Sequence, residues 1–349
     1  MNFKTCWLTV NRACNLRCCW CYARKTNYVG ADMTLADAKK AIDICKDLRI
    51  KKIILIGGEP TLHDGLIDII KYAKNYDMTT ALVTNGIKLC NETYVDQLID
   101  AGLSQISISL KGHDRESFKE ITNADSFNYS LSAIKLLSRK NINFNISMVI
   151  TLDNINTFLK GIEKSIQAGA KRFSLSFCFD FNMRGESNEE YIKHNNPYLL
   201  AKKFKTIYPK LHSLTHGKFN LSQSLPLCCW DSDLIKLMDA RHQLSSICQL
   251  LGRGGLIFET NMDVFPCNSM YQLKLGTLGK EFNNAKELLN FYESKDVVKI
   301  YDKLCAPPSE KCVTCDKYEK CGGGCVTFWT NFNFKEFEQM KYEKGGFYE

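Results

Sequence analysis

The sequence predicts an α/β fold with a parallel sheet, followed by a smaller cysteine-rich region. Short apolar runs alternate with longer amphipathic stretches through the first half of the 349 residues, and most of the 17 cysteines fall into two groups. Six βα repeats in series imply parallel strands joined by right-handed crossovers. A closed barrel and an open doubly wound sheet both satisfy this pattern. Both place the chemistry at the carboxyl ends of the strands.

The six predicted strands are rich in Ile, Val, Phe and Thr, and turn or glycine signals bound them. They lie at 3–10, 52–58, 79–86, 104–110, 142–150 and 171–179. The helices between them repeat apolar residues every three or four positions, and several end in Gly or Asn. These helices are predicted at 35–48, 66–76, 93–102, 130–140 and 156–169.

The pattern changes beyond the sixth strand. Residues 180–197 are polar and aperiodic, which predicts a loop or an insertion, and a helix follows around 198–211. From about residue 220 the alternation is lost, cysteines become dense, and the one clear helical pattern lies around 283–304. We therefore expect two domains, a larger α/β domain at 1–215 and a small metal-dependent one at 216–349.

Composition and charge indicate a soluble globular protein. Hydrophobic residues make up 45% of the chain and charged residues 24%. The N-terminus is not a signal peptide and no window reaches the length of a membrane span, so we expect a cytoplasmic protein without membrane contact. The net charge of +8 is spread along the chain without a Lys/Arg run. This distribution favours a solvated surface over nucleic-acid binding.

Cysteines are numerous for a chain expected in a reducing compartment, where closely spaced cysteines more often bind metal than form disulfides. Four of them are scattered in apolar segments and are expected to be ordinary buried thiols. These four are Cys6, Cys45, Cys90 and Cys178.

The first cysteine group has the spacing Cys14-x3-Cys18-x2-Cys21 and directly follows the first strand. Three thiolates on one short loop can each bind one iron of a cubane, which leaves the fourth iron open for a substrate or cofactor. A structural zinc ion usually takes four ligands, commonly from two CxxC pairs. The spacing favours an iron–sulfur cluster, and zinc remains the alternative.

This CxxxCxxC pattern, with Trp20 before the last cysteine, resembles the signature of the radical S-adenosylmethionine superfamily. The resemblance implies that Cys14, Cys18 and Cys21 bind a [4Fe–4S] cluster whose unique iron is chelated by S-adenosylmethionine. It leaves Cys19 as a bystander, and makes Trp20 and Tyr22 candidate cofactor-binding residues. The family fold is a partial (β/α)6 barrel, which agrees with the six strands read from the pattern and would make 1–215 the radical SAM core domain.

The ends of the next strands resemble the same family. Residues 57–60 read GGEP, in which glycines let a ligand approach the backbone and the carboxylate can accept from an ammonium group. Hydroxyl and amide side chains follow at the third and fourth strand ends. Lys111 stands where the family often has an acidic residue and is assigned no role. The cofactor-binding residues implied by the resemblance are Gly57, Gly58, Glu59, Thr84, Asn85, Ser107 and Ser109.

The second cysteine group runs from Cys228 to Cys325 and ends in Cys312-x2-Cys315-x5-Cys321-x3-Cys325, a run with three glycines before its last cysteine. By itself it could bind zinc or an iron–sulfur cluster. With an upstream Pro-Cys at 266–267, the run resembles the SPASM extension of the radical family, although Met262 stands where that pattern has a glycine. The resemblance implies two auxiliary [4Fe–4S] clusters, which would occupy the domain at 216–349.

The resemblance also implies how the cysteines divide between the two clusters. The first cluster would take Cys248, Cys267 and Cys325, and the second Cys312, Cys315 and Cys321. A fourth ligand is missing from each set. Cys228 or Cys229 is the candidate for the first set. For the second, the candidates are Cys305 and a non-cysteine ligand; that cluster could also have an open iron or be absent.

The implied activity is reductive cleavage of S-adenosylmethionine to a 5′-deoxyadenosyl radical, which removes hydrogen from a substrate. We expect a peptide or protein side chain as substrate, in maturation of a ribosomally made precursor by cross-linking or oxidation. The alternatives are oxidation of a sugar or alcohol, sulfatase maturation, and a zinc-stabilised binding protein without redox activity. Expected partners are the substrate, an electron donor such as flavodoxin or ferredoxin, and a separate leader-peptide recognition protein, because the chain starts at its first strand. No residue is assigned as general acid or base.

Overall fold

The computed structural model describes residues 2–25, 28, 31–178, 196–222, 225–244, 248–329 and 333–342. Its centre is one ten-stranded sheet in the order β10-β9-β8-β1-β2-β3-β4-β5-β6-β7. The strands are β1 Thr5–Asn11, β2 Lys52–Gly57, β3 Thr79–Thr84, β4 Gln105–Ser109, β5 Phe144–Ile150, β6 Phe173–Phe177, β7 Phe219–Leu221, β8 Gly255–Phe258, β9 Asp263–Val264 and β10 Gly276–Thr277.

The six predicted strands are all present, and each pairs in parallel with the next along the chain. The order of the sheet has two ends, at β7 and β10, so the sheet is open. This arrangement confirms the predicted α/β fold class with a partial barrel. It also places the carboxyl ends of β1 to β6 along one edge.

Fourteen α-helices surround the sheet in the part of the chain that is described. They are α1 Leu35–Asp47, α2 Leu66–Lys74, α3 Glu92–Asp100, α4 Arg115–Thr122, α5 Phe127–Arg139, α6 Phe158–Gln167, α7 Pro197–Thr215, α8 Ser232–Ala240, α9 Ala285–Tyr292, α10 Lys295–Leu304, α11 Glu310–Val313, α12 Tyr318–Cys321, α13 Val326–Trp329 and α14 Phe334–Gln339.

One helix prediction needs correction, and some helices were not predicted. The pattern at 283–304 forms two helices, because the side chain of Ser294 caps a second helix just after α9 ends. Helix α4 was not predicted, since only Phe118 and Thr122 of its eight residues are buried and the apolar period is too short to detect. Helix α8 was also missed, although Leu234, Ile235 and Met238 on it are buried.

The expectation that the alternation ends near residue 220 is wrong, because the sheet continues there. Strand β7 pairs in parallel with β6, and β8 pairs in parallel with β1, where Leu8 lies opposite Phe258. These strands have three and four residues, too few for their alternation to stand out in the sequence. The boundary between residues 215 and 216 stays a prediction, but both sides of it contribute strands to one sheet.

The two faces of the sheet bury different sets of side chains. Leu8, Leu55 and Ile106 are completely buried in the main core, beneath the helices. A second, small apolar cluster includes Ile54, Ile56 and Ala81, with Trp7 and Val83 packed against it. Alternate residues of a strand point to opposite faces, so this cluster occupies the face that α1 and α2 do not cover.

A buried ion pair joins the end of β1 to the segment after β8. Arg12 Nε donates to Glu259 Oε1 at 3.0 Å, and Arg12 Nη2 pairs with the other carboxylate oxygen. Both side chains are only 2% exposed. Removing one partner of such a pair would leave an uncompensated buried charge, so the pair fixes the position of the C-terminal half against the barrel.

The last described residues pack onto α7. Phe337 is buried and its ring stacks on Tyr198 with centroids 5.1 Å apart, while Asn196 Nδ2 donates to the carbonyl of Met340 at 2.8 Å. Most of the loop predicted at 180–197 lies outside the described residues, as do 343–349. Among the described residues, no helix is both long and apolar enough to cross a bilayer.

Candidate active site at the carboxyl ends of the strands

A cavity of about 370 Å³ opens at the carboxyl edge of the sheet, and it is lined by the loop after β1 and by the ends of β2 to β6. Its floor includes Ile56, Val83 and Val149. Of the predicted metal and cofactor residues, the lining contains Cys14, Cys18, Trp20, Cys21, Tyr22, Gly57, Gly58, Glu59, Thr84, Asn85, Ser109 and Cys325.

The segment from Ala13 to Cys21, here called the cysteine loop, is held on one side by β2. The amide of Gly58 donates to Asn11 O at 2.9 Å, and the amide of Glu59 donates to Ala13 O at 2.7 Å. A Cβ atom on Gly58 would lie 2.3 Å from Ala13 O. Residue 58 must therefore be glycine, because the backbone of Ala13 lies so close to it. The sequence had suggested instead that these glycines make room for a ligand.

On its other side the cysteine loop is held by α4. The amides of Arg17 and Cys19 donate to the carbonyls of Thr122 and Ile121 at 2.8 and 2.9 Å. Carbonyls in the last turn of a helix lack partners within the helix, so they are available for these contacts. The loop is thus clamped between two elements, one of which the sequence did not predict.

The three thiols of the cysteine loop influence one another electrostatically. Burial is the main cause that raises the pKa of Cys14 to about 12, with smaller contributions from Glu59, Cys18 and Cys21. Burial also raises the pKa of Cys18, and nearby Lys111 partly offsets this increase. Ligation by iron would require these thiols to lose their protons.

These residues fit an iron–sulfur cluster by their donor type. Cys14, Cys18 and Cys21 come from one loop and line one cavity, and thiolates are the ligands that such clusters use. The cavity beyond them leaves room for a further ligand. No group of three or more Cys, His, Asp or Glu in the described ranges converges as the ligands of a single metal ion would.

Glu59 is the hydrogen-bonded centre between the ends of β2 and β3. Its Oε1 accepts from the amide and hydroxyl of Thr61 at 3.2 and 2.6 Å and from the hydroxyl of Thr84 at 2.6 Å. Its Oε2 accepts from the amide of Asn85 at 2.7 Å. Burial raises the pKa of Glu59, and these hydrogen bonds oppose that increase. Oε2, with one partner here, retains capacity to accept from a cationic ligand group.

Asn85 connects this centre to the cysteine loop. Its side-chain amide donates to Asn15 Oδ1 at 2.8 Å, and its carbonyl accepts from the hydroxyl of Ser130 at 2.9 Å. The side chain is therefore held by the loop, while its backbone is held by α5. The predicted cofactor residues of β2 and β3 thus form one network with the cysteine loop.

The structure does not bring Ser107 to the cavity. Its hydroxyl accepts from Asn145 Nδ2 at 3.1 Å, and the same amide also donates to Ser174 Oγ at 3.1 Å. Ser107 lies one pleat nearer the amino ends of the strands than Ser109, which does line the cavity. The position of both serines near the end of β4 did not tell which of them reaches the cavity.

Lys111 and Cys178 are among the lining residues that the sequence did not assign to the site. Lys111 lines the cavity, and its ammonium group donates to the hydroxyl of Ser109. Cys178, which was expected to be a buried thiol, also lines the cavity. The sequence signal for Lys111 was its position two residues after Ser109, the last residue of β4. Of the other scattered thiols, Cys6 and Cys45 are buried as expected, whereas Cys90 is exposed.

The C-terminal half also reaches this cavity. Cys325, Thr327 and Ser269 line it, and the Cys325 sulfur lies 2.8 Å from the hydroxyl of Thr327. Burial raises the pKa of Cys267 to about 12, with further contributions from Cys325 and Cys248. The three cysteines predicted to share the first auxiliary cluster are therefore neighbours.

In comparison with protein families, residues 8–164 match the family described as the Radical SAM superfamily. A probable GTP 3',8-cyclase of Thermoplasma volcanium is 28% identical over 198 residues, which is 54% of this chain and 58% of the relative. A GTP 3',8-cyclase of Clostridium perfringens is 32% identical over 151 residues, 42% of this chain and 46% of the relative. The chain thus spans about half the length of these cyclases.

A third relative aligns with far more of the chain. An AdoMet-dependent heme synthase of Methanosarcina barkeri is 26% identical over 322 residues, which is 89% of this chain and 88% of the relative.

Two solved structures resemble nearly the whole chain in fold. The protein anSMEcpe with bound AdoMet and Kp18Cys peptide has a TM-score of 0.71 and 18% identity, covering 97% of this chain and 96% of that one. SuiB of Streptococcus suis, bound to its precursor peptide SuiA, has a TM-score of 0.68 and 17% identity, covering 94% and 73%. At these identities, the likeness shows a shared fold.

Proposed function

We propose that this chain, whose residues 8–164 are a radical SAM domain, is an enzyme that modifies a peptide or protein side chain. The family uses a [4Fe–4S] cluster and S-adenosylmethionine, and this part of the assignment follows from membership. The observation that carries the proposal is the convergence of Cys14, Cys18 and Cys21 with the ends of five further strands on one cavity. Because the family match identifies an enzyme, the zinc-stabilised binding protein is set aside.

When bound, the cluster and S-adenosylmethionine supply one-electron radical chemistry, and the protein supplies binding, orientation and water exclusion. In our proposal Cys14, Cys18 and Cys21 hold the cluster. Glu59 accepts from the ammonium group of S-adenosylmethionine at Oε2, and Lys111 faces its carboxylate.

The predicted cofactor residues that line the cavity would orient and enclose S-adenosylmethionine. Thr84 and Asn85 keep the Glu59 carboxylate in place through their hydrogen bonds. The apolar floor of Ile56, Val83 and Val149 keeps water from the reacting centre. Ser109, Trp20 and Tyr22 complete the wall.

A peptide is favoured over a nucleotide by the charges that line the cavity. A triphosphate is usually bound by several cationic or backbone amide donors. Lys111 is the one cationic side chain among the described lining residues. The cyclase relatives match only about half of the chain, whereas two structures with bound peptides match nearly all of its fold.

A small organic molecule is the second candidate substrate. It is favoured by the heme synthase relative, which aligns over 89% of the chain. The cavity volume of about 370 Å³ lies within the range of small-molecule sites. The two candidates differ in whether the substrate must extend beyond the cavity mouth.

The rest of the assignment is proposed on the same basis. Residues 1–215 would form the radical SAM core and 216–349 a SPASM-like domain with auxiliary clusters. Cys248, Cys267 and Cys325 would bind the auxiliary cluster nearest the cavity. An electron donor such as flavodoxin or ferredoxin would reduce the enzyme, and a separate protein would present the leader of a peptide substrate.

Anaerobic reconstitution of the full chain tests the proposal. We expect iron and sulfide uptake and reductant-dependent production of 5′-deoxyadenosine from S-adenosylmethionine. The triple change Cys14→Ala, Cys18→Ala and Cys21→Ala should reduce 5′-deoxyadenosine to background, while Cys19→Ala in the same loop should retain it. Equal turnover in the two variants would contradict the assignment of the loop.

The substrate class has its own test. Peptides encoded beside the gene for this chain should gain or lose mass only with the reconstituted enzyme, S-adenosylmethionine and reductant. Modification of a small organic compound, with every such peptide unchanged, would favour the second candidate.

A further inference from the structure

We propose that Cys228 completes a four-thiol site with Cys312, Cys315 and Cys321, and that this site binds the second auxiliary iron–sulfur cluster. The inference rests on the proposed function, which requires auxiliary clusters in the C-terminal half. The sequence left the fourth ligand of Cys312, Cys315 and Cys321 open. It made Cys228 a candidate for the other set, with Cys248, Cys267 and Cys325.

The turn that carries Cys228 contacts the cysteine run directly. Leu227, Cys228 and Cys229 form a short 3-10 turn after Pro226. The amide of Leu227 donates to the sulfur of Cys321 at 3.2 Å. A residue adjacent to Cys228 in the chain is therefore in contact with one member of the proposed site, although 94 residues separate the two contact positions in the sequence.

A glycine turn makes this contact possible. Gly324 has φ +80°, and a Cβ atom on it would lie 2.7 Å from Pro226 N and 3.0 Å from the carbonyl carbon of Leu225. The preceding Gly322 and Gly323 also have positive φ. Three successive residues in this backbone region let the chain fold closely under the turn at 226–229. Only glycine at 324 leaves space for that turn.

The run that carries the other three thiols is compact. The amide of Cys315 donates to the carbonyl of Cys312 at 3.3 Å, and the amide of Cys321 donates to the carbonyl of Lys317 at 2.8 Å. The turn that carries Cys228 contacts this run at Cys321. The four thiols therefore come from two segments in direct contact.

The two adjacent cysteines of the turn have different surroundings. Cys228 is exposed, whereas Cys229 is 9% exposed and belongs to the main hydrophobic core. Cys315 is exposed and Cys312 partly so. A cluster bound by Cys312 and Cys315 would sit at this surface, on the side where Cys228 is accessible. Cys229 is therefore the natural control for Cys228.

Cys305 is the competing ligand, and its surroundings differ. It caps the carboxyl end of α10, whereas the turn at 226–229 contacts the run at Cys321. A Cys305→Ala variant distinguishes the two ligands.

The test uses the full chain carrying Cys14→Ala, Cys18→Ala and Cys21→Ala, so that only auxiliary clusters contribute. Cys228→Ala, Cys229→Ala and Cys305→Ala are added separately, and iron, sulfide and the electron paramagnetic resonance spectrum of the reduced protein are measured. We expect Cys228→Ala to lose about four iron and four sulfide per chain, and Cys229→Ala to match its parent. Cys228→Ser, which keeps the side-chain size and an oxygen donor, should retain a cluster with an altered resonance spectrum.

The outcomes separate the ligand assignment from the proposed function. If the unsubstituted chain takes up no iron, the proposed function fails. If the parent variant holds auxiliary iron but Cys228→Ala and Cys228→Ser match it in iron and in spectrum, the assignment of Cys228 is overturned alone. Loss of the 312–321 cluster in Cys305→Ala or Cys229→Ala, with Cys228→Ala unchanged, would also overturn it.

Discussion

The thiols of the cysteine loop come from residues 14–21, whereas the four thiols of the proposed second auxiliary site come from residue 228 and from residues 312–321. The loop is anchored by main-chain hydrogen bonds to β2 and α4, at the edge of the central sheet. The C-terminal set depends on a glycine turn that lets two distant segments meet. The cysteine loop is encoded locally and supported by the fold, whereas the fold alone brings the turn of Cys228 to the run at 312–321.

This difference predicts which perturbations each site tolerates. A change that shifts the C-terminal half against the barrel should disrupt the second site and leave the three thiols of the cysteine loop together. A change at the edge of the sheet should do the reverse.

The largest effect is expected at the buried ion pair between Arg12 and Glu259, which connects the two halves. Arg12→Met should lower the free energy of unfolding by about 3–5 kcal/mol, because it leaves Glu259 charged and buried without its partner. Urea unfolding of the reconstituted protein would measure it. Arg115→Ala, which removes an exposed ion pair with Asp125, is the control and should have little effect. Equal effects of the two changes would mean that the buried ion pair does not hold the two halves together.

A pair of glycine substitutions tests the two sites separately. Gly58→Ala places a Cβ 2.3 Å from Ala13 O, and should remove the iron of the cysteine loop and S-adenosylmethionine binding. Gly324→Ala should instead remove the second auxiliary iron and destabilise the protein by about 1–3 kcal/mol. Gly279→Ala has a similar positive φ but nothing within 4 Å, so it controls for backbone strain alone. Loss of both sites in either variant would break the distinction.

A smaller effect is expected at Lys111. Lys111→Gln should weaken S-adenosylmethionine binding by about tenfold, because it removes a cation that lines the cavity near Cys18. Lys111→Arg should restore part of the affinity. Calorimetric titration would measure both, and the auxiliary iron should be unchanged. An unaltered dissociation constant would show that Lys111 does not contact S-adenosylmethionine.

The last prediction is a pH dependence of the metal-free protein. The folded-state pKa of Cys14 and that of Cys267 are raised from 9.0 to about 12, so between these values the unfolded chain loses protons that the folded chain keeps. Stability of the metal-free protein should therefore fall as pH rises from about 9 towards 12. Cluster-loaded protein, whose ligands are already deprotonated, should lack this dependence. Thermal unfolding across the window distinguishes the two, and matching curves would contradict the argument.

Much of the barrel half could be predicted because its strands and loops are specified by residues close together in the sequence. Each of β1 to β6 is an apolar run between turns, so its position follows from nearby residues. The cysteine loop and GGEP were found because their members are adjacent in the chain. Ser107 and Ser109 were both predicted from their position near a strand end, which does not tell how far along the strand the cavity extends.

The C-terminal half was less predictable for a physical reason. Strands β7 and β8 are short and are stabilised by pairing with β6 and β1 rather than by their own pattern. Met262, where the family pattern has a glycine, still adopts a left-handed φ of +69°. The surrounding structure therefore imposes a backbone conformation that the residue itself disfavours.

The sequence alone determined the α/β fold class, the six parallel strands and the position of the three-cysteine loop at the carboxyl edge of the sheet. These features depend on residues within a few positions of one another. Only the tertiary structure decided that α4 anchors the loop, that Lys111 and Cys178 reach the cavity, and that Cys228 lies with the 312–321 run. Contacts between distant segments depend on how elements pack, and no short-range pattern records that packing.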